Sequence, residues 1–212
     1  MKNQRLTILI ITSICLGFLM ACSSSGGGSS DSDNQTSADN TTTNVTDPIA
    51  DLQGTWEATA CPDGASILLV ISGKNLTYTG TLYGGPGSND TTCNTPAYSY
   101  SYSLTDLVRG EKAFLTDGTE GYSLSSNLQY YRMTPHIDDI TDILNSTNTC
   151  GIDSWKTNET SDCTGKDAFG DTLPESGTAY SQRYRVSGNK LYYEEKFRED
   201  EEWDFMAVYT KQ

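Results

Sequence analysis

From Tyr98 to Leu104 the chain reads Tyr-Ser-Tyr-Ser-Tyr-Ser-Leu, a large side chain at every second position with a small hydroxyl between. A helix would scatter those rings around its circumference, whereas a strand turns residues i, i+2 and i+4 to one face. The stretch is therefore predicted to be a half-buried strand, rings inward and serines outward. The period recurs where Leu76, Tyr78, Gly80 and Leu82 alternate with Thr77, Thr79, Thr81 and Tyr83. Segments 54–60, 67–71, 122–133, 180–186, 191–197 and 203–210 are rich in aromatic or β-branched residues and are predicted to be strands as well. Ile71-Ser72-Gly73-Lys74-Asn75-Leu76-Thr77-Tyr78 is echoed by Val186-Ser187-Gly188-Asn189-Lys190-Leu191-Tyr192-Tyr193. Each is a pair of apolar arms around a Gly-containing polar turn, which is hairpin chemistry. About eight short antiparallel strands in succession predict an all-β fold, an up-and-down meander closed into a barrel, with a two-sheet sandwich as the alternative.

The chain is expected to leave the sheet once. Thr134-Pro135 is read as an N-cap and first-turn proline, and Ile137, Ile140, Ile143 and Leu144 recur at helical spacing with Asp138, Asp139 and Asp142 outside. That predicts one short α-helix packed on the sheet, its early carboxylates suited to the positive end of the helix dipole. The stretch 148–177 is polar, carries two cysteines and Trp155, and is expected to be a long stapled loop, the first place to look for a rim or lid.

The N-terminus carries Lys2 and Arg5 ahead of an apolar run from Leu6 to Met20. That run is shorter than the roughly 20 apolar residues a spanning helix needs. The sequence Leu19-Met20-Ala21-Cys22 resembles a bacterial lipoprotein signal and lipobox. The resemblance implies removal of signal peptide 1–21 and diacylglycerol and palmitate-type acylation of Cys22. Each buried acyl methylene contributes about 0.8 kcal/mol, so two or three chains anchor the protein durably to a membrane. Ser23 stands where an Asp would imply retention in the inner membrane, so the resemblance implies the bacterial outer membrane. Segment 22–49 is a lipid-anchored Ser/Gly/Asn/Thr-rich tether, with too few apolar groups to offset the entropy of ordering it, and is expected to be disordered with a reach of roughly 25–30 Å. Residues 50–212 then form one domain.

The whole chain has 14 basic and 28 acidic residues; losing Lys2 and Arg5 leaves 12 against 28, a net charge of −16. Such a surface repels phosphate backbones, so nucleic acid is not an expected partner. The acidic run 199–202 with Asp204 lacks the spacing of a calcium loop and reads as a solvated loop. Apart from Cys15 and Cys22, the cysteines are Cys61, Cys93, Cys150 and Cys163. Export makes disulfides their default state; of three connectivities, sequence order favours Cys61 with Cys93 and Cys150 with Cys163. No C-x-x-C spacing occurs and His136 is the only histidine, which argues against zinc or a redox motif.

At the start of the first strand, Leu52-Gln53-Gly54-Thr55-Trp56 resembles the Gly-x-Trp signature of lipocalins and related calycin barrels. The resemblance implies a β-barrel with Trp56 packed across its closed end and a basic residue from the C-terminal region over that ring, a part open to Lys211 or Arg198. The Thr-Asp-x-x-Tyr motif of the family proper is absent and the predicted helix precedes the last strands. The likeness is thus to lipocalin-like bacterial lipoproteins in the broader sense.

Nothing in the chain resembles a phosphate loop, a dinucleotide turn or a nucleophile elbow, and His136 sits beside a proline at a predicted helix start. No catalytic residue, metal ligand or cofactor is expected, and the protein is read as a non-enzyme. Candidate ligand-binding residues are Trp56, Tyr78, Tyr98, Tyr100, Tyr102, Tyr130 and Tyr184, apolar bodies with polar tips that can line a cavity for a small hydrophobic or amphipathic ligand. The alternative is a packed barrel acting as a structural or accessory envelope lipoprotein through protein–protein contacts.

Overall fold

The computed structural model describes residues 49–60, 64–86, 90–196, 203 and 207–212. The expected signal, Cys15, Cys22, the expected tether up to residue 48, Cys61, Phe197, Arg198, residues 199–202 and Asp204 lie outside the described residues, whereas Ile49, expected in the tether, is buried in the core. Among the described residues no helix is long and apolar enough to cross a membrane.

Eight strands form the wall: β1 (Gly54–Ala60), β2 (Ala65–Ser72), β3 (Asn75–Tyr83), β4 (Pro96–Phe114), β5 (Glu120–Pro135), β9 (Ala179–Ser187), β10 (Lys190–Lys196) and β11 (Ala207–Lys211). Each pairs antiparallel with its predecessor in this order, and β11 returns to pair with β1, so the sheet closes into a meander barrel. Closure leaves the wall with no free first or last strand and rules out the sandwich. The two echoed segments are the β2–β3 and β9–β10 hairpins. Ser72 pairs with Asn75 and Ser187 with Lys190, across two-residue turns whose first positions, Gly73 and Gly188, have φ of +57° and +60°. That left-handed start is what a tight turn between right-twisted strands requires.

Alternation sends Trp56, Leu69, Ile71, Leu76, Tyr78, Tyr102, Leu104, Leu191, Tyr193 and Tyr209 into one buried core with Ile49 and Leu52 from the segment before β1. The Gly-x-Trp signature explains itself at this closed end. Trp56 is fully buried and its indole N–H donates to the Leu52 carbonyl at 2.7 Å. The Lys211 ammonium lies 5.1 Å from the ring centroid, so Lys211 takes the position over the tryptophan, and the other candidate, Arg198, lies outside the described residues. A Cβ on Gly54 would stand 3.1 Å from Lys211 Cε, and Gly54 has φ +123°; glycine lets the lysine stem cross the strand to reach the indole.

Three departures from the sequence reading have local causes. Pro135 is the last residue of β5, paired with Tyr98, and not the first turn of the helix. The amide of His136 then donates to the Ala97 carbonyl, and a strand end needs no N–H from proline. Helix α1 (Asp138–Ser146) starts only after Ile137, which caps it in extended conformation with no side-chain bond. Second, β4 and β5 are longer than predicted and pair through register shifts at 103/104, 105/108 and 109/112, with Asp106 at φ +57°. These bulges keep paired as strand a stretch that lies outside the predicted strands. Third, one shift inserts Gln129, because Ser103 faces Tyr130 and Leu104 faces Leu128. The alternation on β5 therefore changes phase, and Tyr131 rather than Tyr130 packs against the core. Tyr130 shares the outer side with Arg132, whose guanidinium lies 4.0 Å over its ring.

Between β5 and β9 the chain makes one excursion holding α1 and the short strands β6 (Ser161–Asp162), β7 (Asp167–Ala168) and β8 (Asp171–Thr172). Strand β6 pairs with β5 at Arg132 and Met133, prolonging the wall where β9 does not reach. A second cluster of Leu144, Cys150, Trp155, Cys163 and Ala168 packs on Tyr98 and Met133, so the excursion covers part of the end opposite Trp56. Cys150 and Cys163 are bonded, as expected. Cys93 is disulfide-bonded too, while Cys61, its expected partner, is outside the described residues. Replacing Cys150 and Cys163 by serine should cost about 3 kcal/mol in the chain-entropy account of a loop this size. The cost should appear as faster proteolytic nicking between Asn148 and Gly177 together with a lower urea midpoint; unchanged nicking would mean that packing around Trp155 alone holds the excursion.

Candidate binding cup

The interior around Trp56 is largely buried, although Tyr122 and Val186 there are partly exposed, and several inward positions nearer the other end are partly exposed as well. Ala58, Ile67, Tyr100, Tyr131 and Ala207 pack against the core yet stay partly exposed, as does Glu195, whereas Trp56, Leu69, Tyr102, Tyr193 and Tyr209 beneath them are buried. The interior thus has a solvent-reached upper level over a dry floor, the form of a cup.

Its wall is largely tyrosine. Tyr78 stacks on Tyr102 with centroids 4.6 Å apart and on Tyr100 at 5.7 Å; Tyr131 stacks on both Tyr100 and Tyr102 at 6.2 Å. Tyr193 meets Tyr209 edge to face at 6.3 Å. Gly80 makes this stack possible: a Cβ there would lie 2.5 Å from a ring carbon of its cross-strand partner Tyr100. Gly80→Ala should push that ring off the wall and cost about 1–3 kcal/mol, the usual range for an overpacked site. A melting temperature within experimental error of the wild type would show that Tyr100 swings away freely.

Among the described residues, the carboxylate of Glu195 stands among these rings. On β10, Leu191, Tyr193 and Glu195 face inward, and the Tyr102 hydroxyl donates to Glu195 Oε2 at 2.5 Å. Burial above all, and next the Glu195 charge, pushes the hydroxyls of Tyr102, Tyr193 and Tyr209 well above the ordinary tyrosine range. Gln182 lies directly across from Glu195 on β9, fully buried, with its amide N–H donating to Ser126 Oγ at 2.8 Å. Among the described residues, Gln182 Oε1 and the Tyr193 hydroxyl have no hydrogen-bond partner. Leaving such atoms dry and unmatched typically costs about 1–3 kcal/mol each.

The neighbouring Glu194 is also fully buried, but on the outer side of the wall. There its Oε1 accepts bonds from the amide and hydroxyl of Thr116 at 2.7 and 2.5 Å, and Arg183 approaches Oε2 at 3.9 Å. It fastens the β4–β5 loop to β10. Arg183 stacks 3.7 Å from the Trp203 ring beside an outer recess of about 230 Å³ lined by Gly110, Ser123, Ser125, Ser181 and Gln182 among others.

Of the sequence candidates, Tyr78, Tyr100 and Tyr102 meet in the cup, Trp56 forms part of its floor, and Tyr98 sits at the excursion's edge against Phe169. Tyr184 is inward but lower, beside Tyr122, and Tyr130 is outside. Sequence reasoning missed Tyr131, Tyr180, Tyr209, Gln182 and Glu195 as members of this interior. For Glu195 a signal existed, since it continues the alternation of Leu191 and Tyr193.

Among the described residues, His136 sits in an arrangement that resembles catalytic machinery. Its Nε2 lies 2.8 Å from Ser99 Oγ and its Nδ1 3.2 Å from Asn158 Oδ1, the order of nucleophile, base and orienting group. Ser99 Oγ also shares a hydrogen with Thr81 Oγ1 at 3.1 Å, and Ser99 lies on the outer side of β4, away from the described recess. The chain of bonds links β3, β4 and the excursion, and works as a latch. No family model and no curated protein matches the chain.

Proposed function

We propose that this protein is a non-catalytic binding module, held at the bacterial cell envelope by acyl chains on Cys22, whose barrel receives a small amphipathic molecule. The observation that carries this reading is the graded interior: solvent-reached Tyr100, Tyr131 and Glu195 above a buried aromatic floor that holds unmatched polar atoms. Apolar walls with a few placed polar groups are the usual make-up of a small-molecule site. A lipid anchor and flexible tether would leave such a module free to exchange ligand near the membrane, on the outer membrane in the reading that Ser23 supports.

Native mass spectrometry of the exported protein, disulfides intact, before and after organic extraction tests it. An extra mass lost on extraction is the expected result. A bare mass that stays bare after incubation with an envelope lipid extract would overturn the binding reading. It would favour a docking role for the outer surface, where Phe114 and Val108 on the β4–β5 hairpin are 65% and 52% exposed. Cys22→Ser should move the protein from the membrane to the soluble fraction, and continued sedimentation with membranes would remove the anchor.

A further inference from the structure

The recess of about 230 Å³ on the outer side of the barrel has a chemistry of its own. Its base is built from hydroxyls, because Ser123 and Ser125 on β5 pair across the strands with Arg183 and Ser181 on β9. Its side is the indole of Trp203, with the Arg183 guanidinium 3.7 Å from the ring. A Cβ on Gly110 would lie 2.3 Å from Ser123 Oγ, so glycine is what lets β4 come up against this serine. Among the described lining residues Arg183 alone is charged, and a cation would meet like charge there. An anion gains little, since Arg183 Nη1 already donates to the Phe114 carbonyl at 2.8 Å and lies 3.9 Å from the fully buried Glu194 carboxylate. Sites for drug-sized molecules run to about 300–1,000 Å³, so this recess suits something smaller. Serine hydroxyls both donate and accept, the guanidinium donates, and the indole offers a flat apolar face. That set matches a small neutral ring with an apolar face and a rim of hydroxyls.

We propose that this recess binds a neutral sugar ring, whose C–H face lies against Trp203 and whose hydroxyls meet Ser125, Ser181 and Arg183. Contact with the indole holds the ring, and the serines and guanidinium select for its hydroxyls. The site is separate from the barrel interior, so it goes beyond the binding reading above and does not depend on it.

The three tryptophans of the chain make the test direct. Trp56 and Trp155 are buried and Trp203 is half-buried, so acrylamide quenching of the fluorescence of the disulfide-intact protein reports mainly on Trp203. The probes are the methyl glycosides of glucose, galactose and mannose, with cyclohexanol as a ring of the same size that lacks the rim of hydroxyls. At about 50 mM, well above the dissociation constant of about 1 mM that suits so small a ligand, at least one glycoside should lower the quenching constant about twofold. Cyclohexanol should leave it nearly unchanged. Ser125→Val, at an exposed strand position, removes a hydroxyl and narrows the recess, and should abolish the protection. Protection by none of the glycosides would overturn the proposal. Equal protection by cyclohexanol would overturn the assignment to a sugar, and protection undiminished in Ser125→Val would place the sugar elsewhere and overturn the site. The comparison of probes on wild-type protein decides even where the variant does not fold.

Discussion

Alkali is expected to unfold this protein in one cooperative step at about pH 11, with several tyrosines ionising together. Burial raises the hydroxyl pKa of Tyr78, Tyr98, Tyr102, Tyr184, Tyr193 and Tyr209 above the ordinary value of 10.0. In the unfolded chain each returns to its ordinary value, so above pH 10 the unfolded state has lost protons that the folded state still holds. The sign follows: this contribution is fully present below pH 10 and is lost as pH rises from there toward the folded values. Each pH unit above 10 removes about 1.4 kcal/mol per buried tyrosine. Six such groups amount to about 8 kcal/mol at pH 11, within the 5–15 kcal/mol that stabilises an ordinary domain. Tyrosinate absorbance and far-ultraviolet circular dichroism should therefore change at the same pH, after an earlier non-cooperative rise from the more exposed tyrosines. Full ionisation with the sheet signal intact would show that the interior is open to water at every level.

Trp56→Ala should be the most damaging single substitution at the closed end, at about 3–5 kcal/mol. The indole is fully buried against Leu52, donates to its carbonyl, and carries the Lys211 ammonium over its face. Its loss leaves a cavity that a closed wall is poorly able to collapse, and it frees the last strand from its contact with the first. Trp56→Phe keeps most of the volume but not the donor, so it should cost less. Urea unfolding followed by circular dichroism should show the midpoint falling in the order wild type, Phe, Ala. An alanine variant within about 1 kcal/mol of wild type would mean that β1 and β11 hold without the indole, against the range typical of buried tryptophan.

The wall was legible because β3 and β4 carry an alternation that water enforces, Tyr98, Tyr100 and Tyr102 facing in while Ser99 and Ser101 face out, and because aromatic and β-branched residues marked β1, β2, β5, β9 and β10 to within a few residues. The eighth, β11, falls within the expected segment 203–210 and is described over Ala207–Lys211. What alternation could not show was its own phase changes. Nothing in Asn127-Leu128-Gln129-Tyr130-Tyr131 says that Gln129 is the extra residue, because a bulge is fixed by pairing with Ser103 and Leu104 on another strand. The extension of β4 through Asp106 and Gly110 was hidden for the same reason, since turn-forming residues tolerate the bulges that keep it paired. Pro135 has the chemistry of a helix start, and the β4 partner outcompeted it. Of the cup, the tyrosines on β3 and β4 were readable, whereas Glu194 and Glu195 are identical in composition. Only the register of β9 and β10 puts one against Thr116 outside and the other against Tyr102 inside.

The pairing of β1 with β11 joins residues about as far apart in the domain as residues can be, Trp56 with Lys211. A chain that emerges N-terminus first can form its β2–β3 and β9–β10 hairpins locally as they appear. It cannot satisfy the outer edge of β1 until β11 is free. During that interval β1 presents an open row of backbone donors and acceptors, the kind of edge on which another chain can add a strand. Folding should therefore be gated by delivery of the final strand, and a nascent barrel stalled before Ala207 would be the form most exposed to aggregation and to holding by a chaperone.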